Sequence, residues 1–247
     1  MKVVAIIQAR MNSTRLPGKV MLDLCGETVL SRVVKRVQAC KAVDQVVVAT
    51  TMQARDEIIV VEALSLGVEV FCGNENDVLD RYYRAAKKYG ANLIVRVTAD
   101  CPLFDPEVLS EMFCKLDRIS ITKFSKIYFS NIKKRTYPRG LDAEIFNFSA
   151  LEFANQEAKQ PFEREHVTPF MYYHPKEFFI YDFRGDEDNS RYRWTLDTPD
   201  DYAFLKAVYS ELYKEEGFIS TEDVFSLLQA RPELCGLNAH VEQKRIE

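Results

Sequence analysis

The first half of the chain repeats one pattern four times, and that pattern limits the folds open to it. An apolar run is followed by a short polar loop and then by a helical stripe. The runs occupy residues 2–7, 45–50, 68–71 and 92–97. Their density of Val and Ile suits strands buried on both faces. The helical stripes comprise Val29, Leu30, Val33, Val34 and Val37; Val78, Leu79, Tyr82, Tyr83 and Ala86; and Val108, Leu109, Met112, Phe113 and Leu116. Each set makes one apolar face at 3.6 residues per turn. Residues 56–66 predict a further helix with a less distinct stripe, and Pro106 stands where a first helical turn accepts proline. Strands alternating with helices predict an α/β fold, a mainly parallel sheet with right-handed crossovers and flanking helices.

The second half is less regular. Residues 127–130 and 141–148 read as strands around a basic loop at 133–139. Helices are predicted over 150–159, 199–213 and 221–228, and strands over 177–183 and 193–196. No linker, low-complexity segment or further repeat interrupts the chain. The expectation is one domain over 1–247, with a small β-rich lobe from about 123 to 190.

In sheets of this kind ligands bind beyond the carboxyl ends of the strands. The unusual polar residues fall there: residues 8–19 after the first strand, Thr50 and Thr51 after the second, 73–76 after the third, and Thr98, Asp100 and Pro102 after the fourth. The first of these loops carries Arg10, Arg15 and Lys19. Three cations at the end of a buried strand suit a polyanion such as a triphosphate. Arg offers a planar fork for phosphate oxygens and Lys a compact charge, and a turn at Asn12, Ser13 and Thr14 would add backbone donors. The alternative is an ordinary solvated loop, a poor use of three cations in that position. Neither a P-loop nor a Gly-x-Gly-x-x-Gly fingerprint occurs.

Composition narrows the class. The 247 residues are 47% hydrophobic and 28% charged, with a net charge of −4. That balance argues against a nucleic-acid grip, and no apolar run approaches a membrane span. A cytoplasmic protein is expected. The six cysteines lack zinc-like spacing and the three histidines form no cluster, so reduced, mostly buried thiols are expected and zinc chemistry is not.

The loop Ala9-Arg10, Ser13, Arg15-Leu16-Pro17-Gly18-Lys19 resembles the signature loop of the CMP-sugar-acid synthetases, above all the spore-coat polysaccharide cytidylyltransferases. CMP-KDO and CMP-sialic acid synthetases are more distant relatives. The likeness continues through residues 24–30, 47–50, 77–82, 96–102, 137–144, 164–169 and 193–200. It implies a Rossmann-like sheet of the nucleotide-diphospho-sugar transferase type, and Mg²⁺-dependent transfer of CMP from CTP to a small acceptor in surface glycan synthesis, by a homodimer.

Residue by residue, the resemblance implies that Gln8, Ala9, Arg10, Asn12, Ser13, Arg15, Lys19, Asp77, Arg81 and Thr98 bind the nucleotide. Arg10, Lys19 and Asp100 are expected to be catalytic. Asp100 and Asp197 would hold Mg²⁺, which favours one or two carboxylates with phosphate oxygens and water. Asp100 could instead be a turn or N-cap residue before Pro102, and Asp197 an N-cap for the helix near Pro199. Asp77 and Asp80 could simply favour a helix dipole. Arg139, Asp142 and Glu144 are expected on the acceptor side, or else in a solvated hairpin of surface ion pairs. His166, in a charged helix start, reads as structural. Where the family carries glycine this chain has Asn12, the residue next most tolerant of positive φ. Two other readings are a glycosyltransferase consuming a nucleotide sugar and a non-catalytic nucleotide-binding module. The former usually carries Asp-x-Asp at a strand end, and Ala99-Asp100-Cys101-Pro102 does not fit it.

Overall fold

The structure is a computed structural model that describes residues 1–119 and 123–244. A seven-stranded sheet runs through it in the order β5-β4-β1-β6-β8-β7-β9. The strands are β1 (Val3–Gln8), β4 (Gln45–Thr51), β5 (Glu69–Gly73), β6 (Leu93–Thr98), β7 (Ile127–Ser130), β8 (Glu144–Asn147) and β9 (Phe179–Asp182). A separate antiparallel pair, β2 (Asp23–Leu24) and β3 (Glu27–Thr28), follows the first loop. The first four main strands are mutually parallel, as their apolar runs predict. The 123–190 segment joins the same sheet: β8 is antiparallel to both β6 and β7, and β9 lies parallel to β7.

Alternate side chains of β1 face opposite layers. Val3, Ala5 and Ile7 pack with α1 (Val29–Gln38), α2 (Glu57–Ser65) and α4 (Pro106–Arg118). Val4 and Ile6 pack with α3 (Val78–Lys88), α5 (Phe148–Glu157) and α7 (Pro169–Tyr173). The short α6 (Pro161–His166) lies beside α3. A third apolar cluster joins Trp194 and Leu196 to α8 (Pro199–Leu212) and α9 (Thr221–Ala230). Its outer edge is the 3-10 turn Pro232–Leu237. Among the described residues no helix is long and apolar enough to cross a membrane.

Several local expectations change. Residues 193–196 form no strand; a single bridge pairs Arg193 with Arg139, and the Leu196 amide donates to the Asp100 carbonyl at 2.8 Å. Trp194 and Leu196 point into the third cluster, and the sheet takes none of their alternation. The eighth strand begins at Glu144 and not at 141. His166 ends α6 and does not start a helix. The cysteines are free, but only Cys40 and Cys101 are buried, whereas Cys72 and Cys114 are exposed.

Candidate active site

Read in chain order, the parallel strands β1, β4, β5 and β6 are arranged 3-2-1-4. The direction of travel reverses between β1 and β6, the crevice where such sheets bind ligands. Gln8 ends β1 opposite Thr98 of β6. The chain then turns back on itself, and the Met11 carbonyl accepts from the Ser13 and Gly18 amides, the second at 2.9 Å. Gly18 takes φ 71°, a left-handed conformation that a side chain would strain, and opens the one-turn helix Lys19–Met21. The far side of the loop is held by Asp56, which is fully buried. Its carboxylate accepts from the Met11 amide at 2.7 Å and from the Thr51 hydroxyl.

This turn aims Lys19 at two carboxylates. Its Nζ donates to Asp100 Oδ2 at 2.6 Å, to Asp197 Oδ1 at 2.7 Å and to the Leu196 carbonyl at 2.7 Å. All three ammonium protons therefore have an acceptor. Burial alone would lower the Lys19 pKa, but the charges of Asp100 and Asp197 outweigh it and hold the ammonium above its usual value. Burial would likewise raise Asp100. The adjacent Lys19 charge and the hydrogen bonds from Lys19 and Thr98 win, and Asp100 is lowered. The other oxygen of Asp197 takes Arg15 at 2.8 Å and Arg193 at 2.9 Å.

The capping alternatives resolve at this point. Helix α8 is capped by Thr198, whose side chain accepts from the Asp201 amide, and Asp201 returns the bond. Helix α4 is capped by Asp105. Neither Asp197 nor Asp100 is occupied at a helix start. Asp77, in contrast, is the N-cap of α3 and pairs with Arg164 at 2.6 Å.

Around this centre lies a cleft of about 500 Å³, the size of a small-molecule site. Of the residues expected at the nucleotide, Gln8, Ala9, Arg10, Ser13, Arg15, Lys19, Arg81 and Thr98 line it, as do the two expected metal ligands, Asp100 and Asp197. Nine Lys or Arg side chains face four carboxylates along its walls, so the cleft is cationic in an acidic protein. Buried polar atoms without a partner, Gln8 Oε1, Arg81 Nε and Arg96 Nε, belong to lining residues. Arg81 is lodged under the cleft by a bond to the Asn74 carbonyl.

Three expected residues stand elsewhere. Asp77 is in the cap just described. Asn12 is not at positive φ; Gly18 serves that need, and Asn12 donates to Glu75 at 3.2 Å. Glu144 is buried within the sheet, where it pairs with Arg96 and accepts from the Tyr128 hydroxyl at 2.6 Å. It lies behind the wall, and its partner Arg96 is the residue that reaches the cleft.

Arg139 and Asp142 do line the cleft. Asp142 takes both arms of Arg135, at 2.5 and 2.9 Å, a bidentate pair. Arg139 has no ion-pair partner among the described residues. Burial and the Arg135 charge both push its pKa down. Between these two, Gly140 sits so close to the Trp194–Thr195 backbone that a Cβ would stand 2.6 Å from the Trp194 carbonyl carbon. The close approach ties the Arg139 segment to the strip that carries Asp197.

Sequence reasoning missed Arg193, Asp201, Asp56, Arg135 and the tail residues Gln243 and Lys244, the last two also lining the cleft. One signal was present: Thr198-x-x-Asp201 is a capping-box spacing that frees Asp197 from the helix. Asp56 and the tail act across long sequence separations and leave no local mark.

The donor set suits Mg²⁺. Two carboxylates already converge on one cation, the Lys19 ammonium, within 2.7 Å. No group of three or more His, Cys, Asp or Glu side chains able to hold a metal occurs among the described residues. The remaining ligands would then be substrate oxygens and water, the usual division for Mg²⁺.

A cation-lined crevice at the reversal point of a parallel sheet makes this an α/β protein with a ligand site suited to an anion. The chain belongs to the cytidylyltransferase family, whose match spans residues 4–245, and it is a nucleotidyltransferase. It is 31% identical over 242 residues to the spore coat polysaccharide biosynthesis protein SpsF of Bacillus subtilis, covering 94% of this chain and 95% of that one. A solved cytidylyltransferase from Leptospira borgpetersenii is 36% identical, with a TM-score of 0.89 over 99% of this chain and 100% of that chain. The CMP:2-keto-3-deoxy-manno-octonic acid synthetase complexed with CTP shares the fold, at 17% identity and a TM-score of 0.61 over 85% of this chain and 99% of that one. Membership sets aside the nucleotide-sugar-consuming and non-catalytic readings.

Proposed function

We propose that this cleft transfers CMP from CTP to a hydroxyl of a small anionic acceptor, a sugar acid or a related compound, and releases pyrophosphate. The observation that carries the reading is the Lys19 ammonium held between Asp100 and Asp197 at the end of the cationic first loop. In the reaction an acceptor oxygen forms a bond to the α-phosphorus of CTP. The bond from that phosphorus to the bridging oxygen breaks, pyrophosphate leaves with the electron pair, and the acceptor's hydroxyl proton passes to water. Arg10, Arg15 and Lys19 hold the triphosphate and offset the charge that builds on the leaving group, so catalysis is by positioning and electrostatics. Gln8, whose buried Oε1 has no partner among the described residues, and Arg81, whose Nε has none, both line the cleft and complete the nucleotide-binding set in this reading. Asp100 and Asp197 would hold Mg²⁺, which supplies Lewis-acid charge to phosphate oxygens when bound.

The acceptor end is the wall formed by Arg139 and the Arg135–Asp142 pair. A guanidinium with no acidic partner among the described residues, its charge disfavoured by burial and by Arg135, favours an incoming carboxylate or phosphate. A role in surface glycan synthesis belongs to the same reading and rests on the likeness to a spore coat polysaccharide biosynthesis protein; a homodimer in the cytoplasm is the expectation carried by the family resemblance.

The test is a matrix of the four nucleoside triphosphates against candidate hydroxy acids, read by pyrophosphate release. Release is expected with CTP, with Mg²⁺, and only when an anionic acceptor is present. Equal release from all four triphosphates, or from neutral sugars as readily as from acids, overturns the reading.

A further inference from the structure

The last turn of the chain leaves the third apolar cluster and crosses to the cleft. Leu234 is buried in that cluster. Asn238 is buried as well, and its side-chain amide donates to the Arg193 carbonyl at 2.8 Å and to Asp201 at 3.0 Å. The Asn238 carbonyl then turns the chain by accepting from the Val241 amide. Beyond this anchor the Glu242 carbonyl faces Arg15, and the Gln243 side-chain oxygen accepts from Arg193 at 2.7 Å.

Arg193 is the junction. One guanidinium serves three partners: Asp201 at 2.8 and 3.0 Å, Asp197 at 2.9 Å and Gln243 at 2.7 Å. The tail is thus fastened to the same arginine that orients a carboxylate of the reaction centre. Lys244, one residue further on, lines the cleft. Its charge is felt at His166, another lining residue, where burial lowers the imidazole pKa, Glu165 opposes that, and Arg96, Lys244 and Arg10 add to the lowering. Among the described residues no carboxylate pairs with Lys244. A surface tail has no structural reason to carry a cation into a cavity that already holds eight others; a polyanionic ligand supplies one.

We propose that residues 241–244 form a strap across the phosphate end of the cleft, with Lys244 a further phosphate-binding residue and Gln243 a positioning residue that fixes the strap through Arg193. The inference rests on the reading that the cleft binds a nucleoside triphosphate. Lys244 reaches the triphosphate, or the pyrophosphate split from it, from the solvent side, opposite Lys19. The loop after β1 then grips the phosphates from below and the strap from above. Fastening to Arg193 keeps the strap and Asp197 in register.

The experiment is CTP binding by calorimetry, with turnover, on the full chain and four variants. These are Lys244→Ala, Gln243→Ala, Gln243→Glu, and a chain ending at His240, which keeps the Asn238 anchor. Lys244→Ala is expected to weaken CTP roughly 3- to 10-fold and to reduce the salt dependence of binding, with cytidine affinity unchanged, because an exposed charge acts on phosphate alone. Removing residues 241–247 should weaken CTP roughly 10-fold or more without changing the melting temperature. Gln243→Ala should raise KM more than it lowers kcat. Gln243→Glu, which keeps an acceptor for Arg193, should restore KM. Tighter CTP binding by the shortened chain would mean that the tail plugs the cleft, and unchanged binding that it is a bystander; either overturns the strap and leaves the nucleotide reading standing. A full-length chain that binds no CTP overturns both.

Discussion

Replacing Lys19 by methionine separates two consequences of one geometry. The substitution keeps the length of the side chain and deletes a charge that makes three hydrogen bonds of 2.6–2.7 Å. The two carboxylates fare differently. Asp197 keeps Arg15 and Arg193, whereas Asp100 keeps only the Thr98 hydroxyl as a side-chain donor apart from a weak thiol contact. Breaking a buried ion pair costs about 3–5 kcal/mol. Here one carboxylate stays paired and Asp100 is 22% exposed, so solvent screening brings the cost below that range, to about 2–3 kcal/mol. For a chain of this length that is a fall in Tm of about 4–12 °C. The freed carboxylates then offer Mg²⁺ a site for which, without nucleotide, it must compete with the Lys19 ammonium in the wild type. Added Mg²⁺, with no nucleotide, should raise the Tm of Lys19→Met by more than it raises that of the wild type. Turnover should move the other way, falling about 10- to 150-fold for a lost charge-assisted contact at the transition state. Thermal melts with Mg²⁺ or EDTA, beside pyrophosphate release, read both. Equal Mg²⁺ shifts in the two proteins, or undiminished turnover, would refute the reasoning.

Asp56→Ala should leave the Met11 amide and Thr51 hydroxyl unpaired in a buried place, costing about 2–4 kcal/mol in a chemical melt and loosening the loop, so that KM for CTP rises. His166 gives a pH signature. Its imidazole is held below the ordinary value of 6.5, so the folded chain takes up this proton less readily than the unfolded chain. Stability should therefore fall as pH drops below about 6.5, and His166→Gln should flatten that part of the profile while kcat at neutral pH is kept. Loss of kcat in His166→Gln would contradict its assignment as a structural residue.

How much of this could be read from the chain alone depended on whether the cause was local. The parallel strands declared themselves because burial on both faces leaves Val3 to Ile7 without a polar residue. Helices α1, α3 and α4 did so because each buries one stripe. Helix α2 was vaguer for a visible reason: Ile58, Val61 and Leu64 are exposed, so its apolar residues do not share one buried face. The strip at 193–196 misled because its alternation serves a helical cluster and not a sheet. At the site, Lys19 and Asp100 stood out as a charge and a carboxylate at strand ends. Glu144 carries the same kind of charge, yet it is spent on Arg96 and Tyr128 behind the wall, a pairing that only the β6–β8 register creates. Arg193 was passed over for the converse reason. Its three partners come from residues 197, 201 and 243, and the last is brought in by tertiary packing of the tail.

The most direct test of cytidylyl transfer at the Lys19–Asp100–Asp197 centre is pyrophosphate release from CTP by the wild type and by Asp100→Asn, with Mg²⁺ and an acidic acceptor. Asp100→Asn keeps the shape and removes the charge that Lys19 and a metal would share. Mg²⁺-dependent release by the wild type, reduced at least 100-fold in a folded Asp100→Asn, is the expected result. Release that persists in the variant, or that is indifferent to EDTA, would place the chemistry somewhere other than between these two carboxylates.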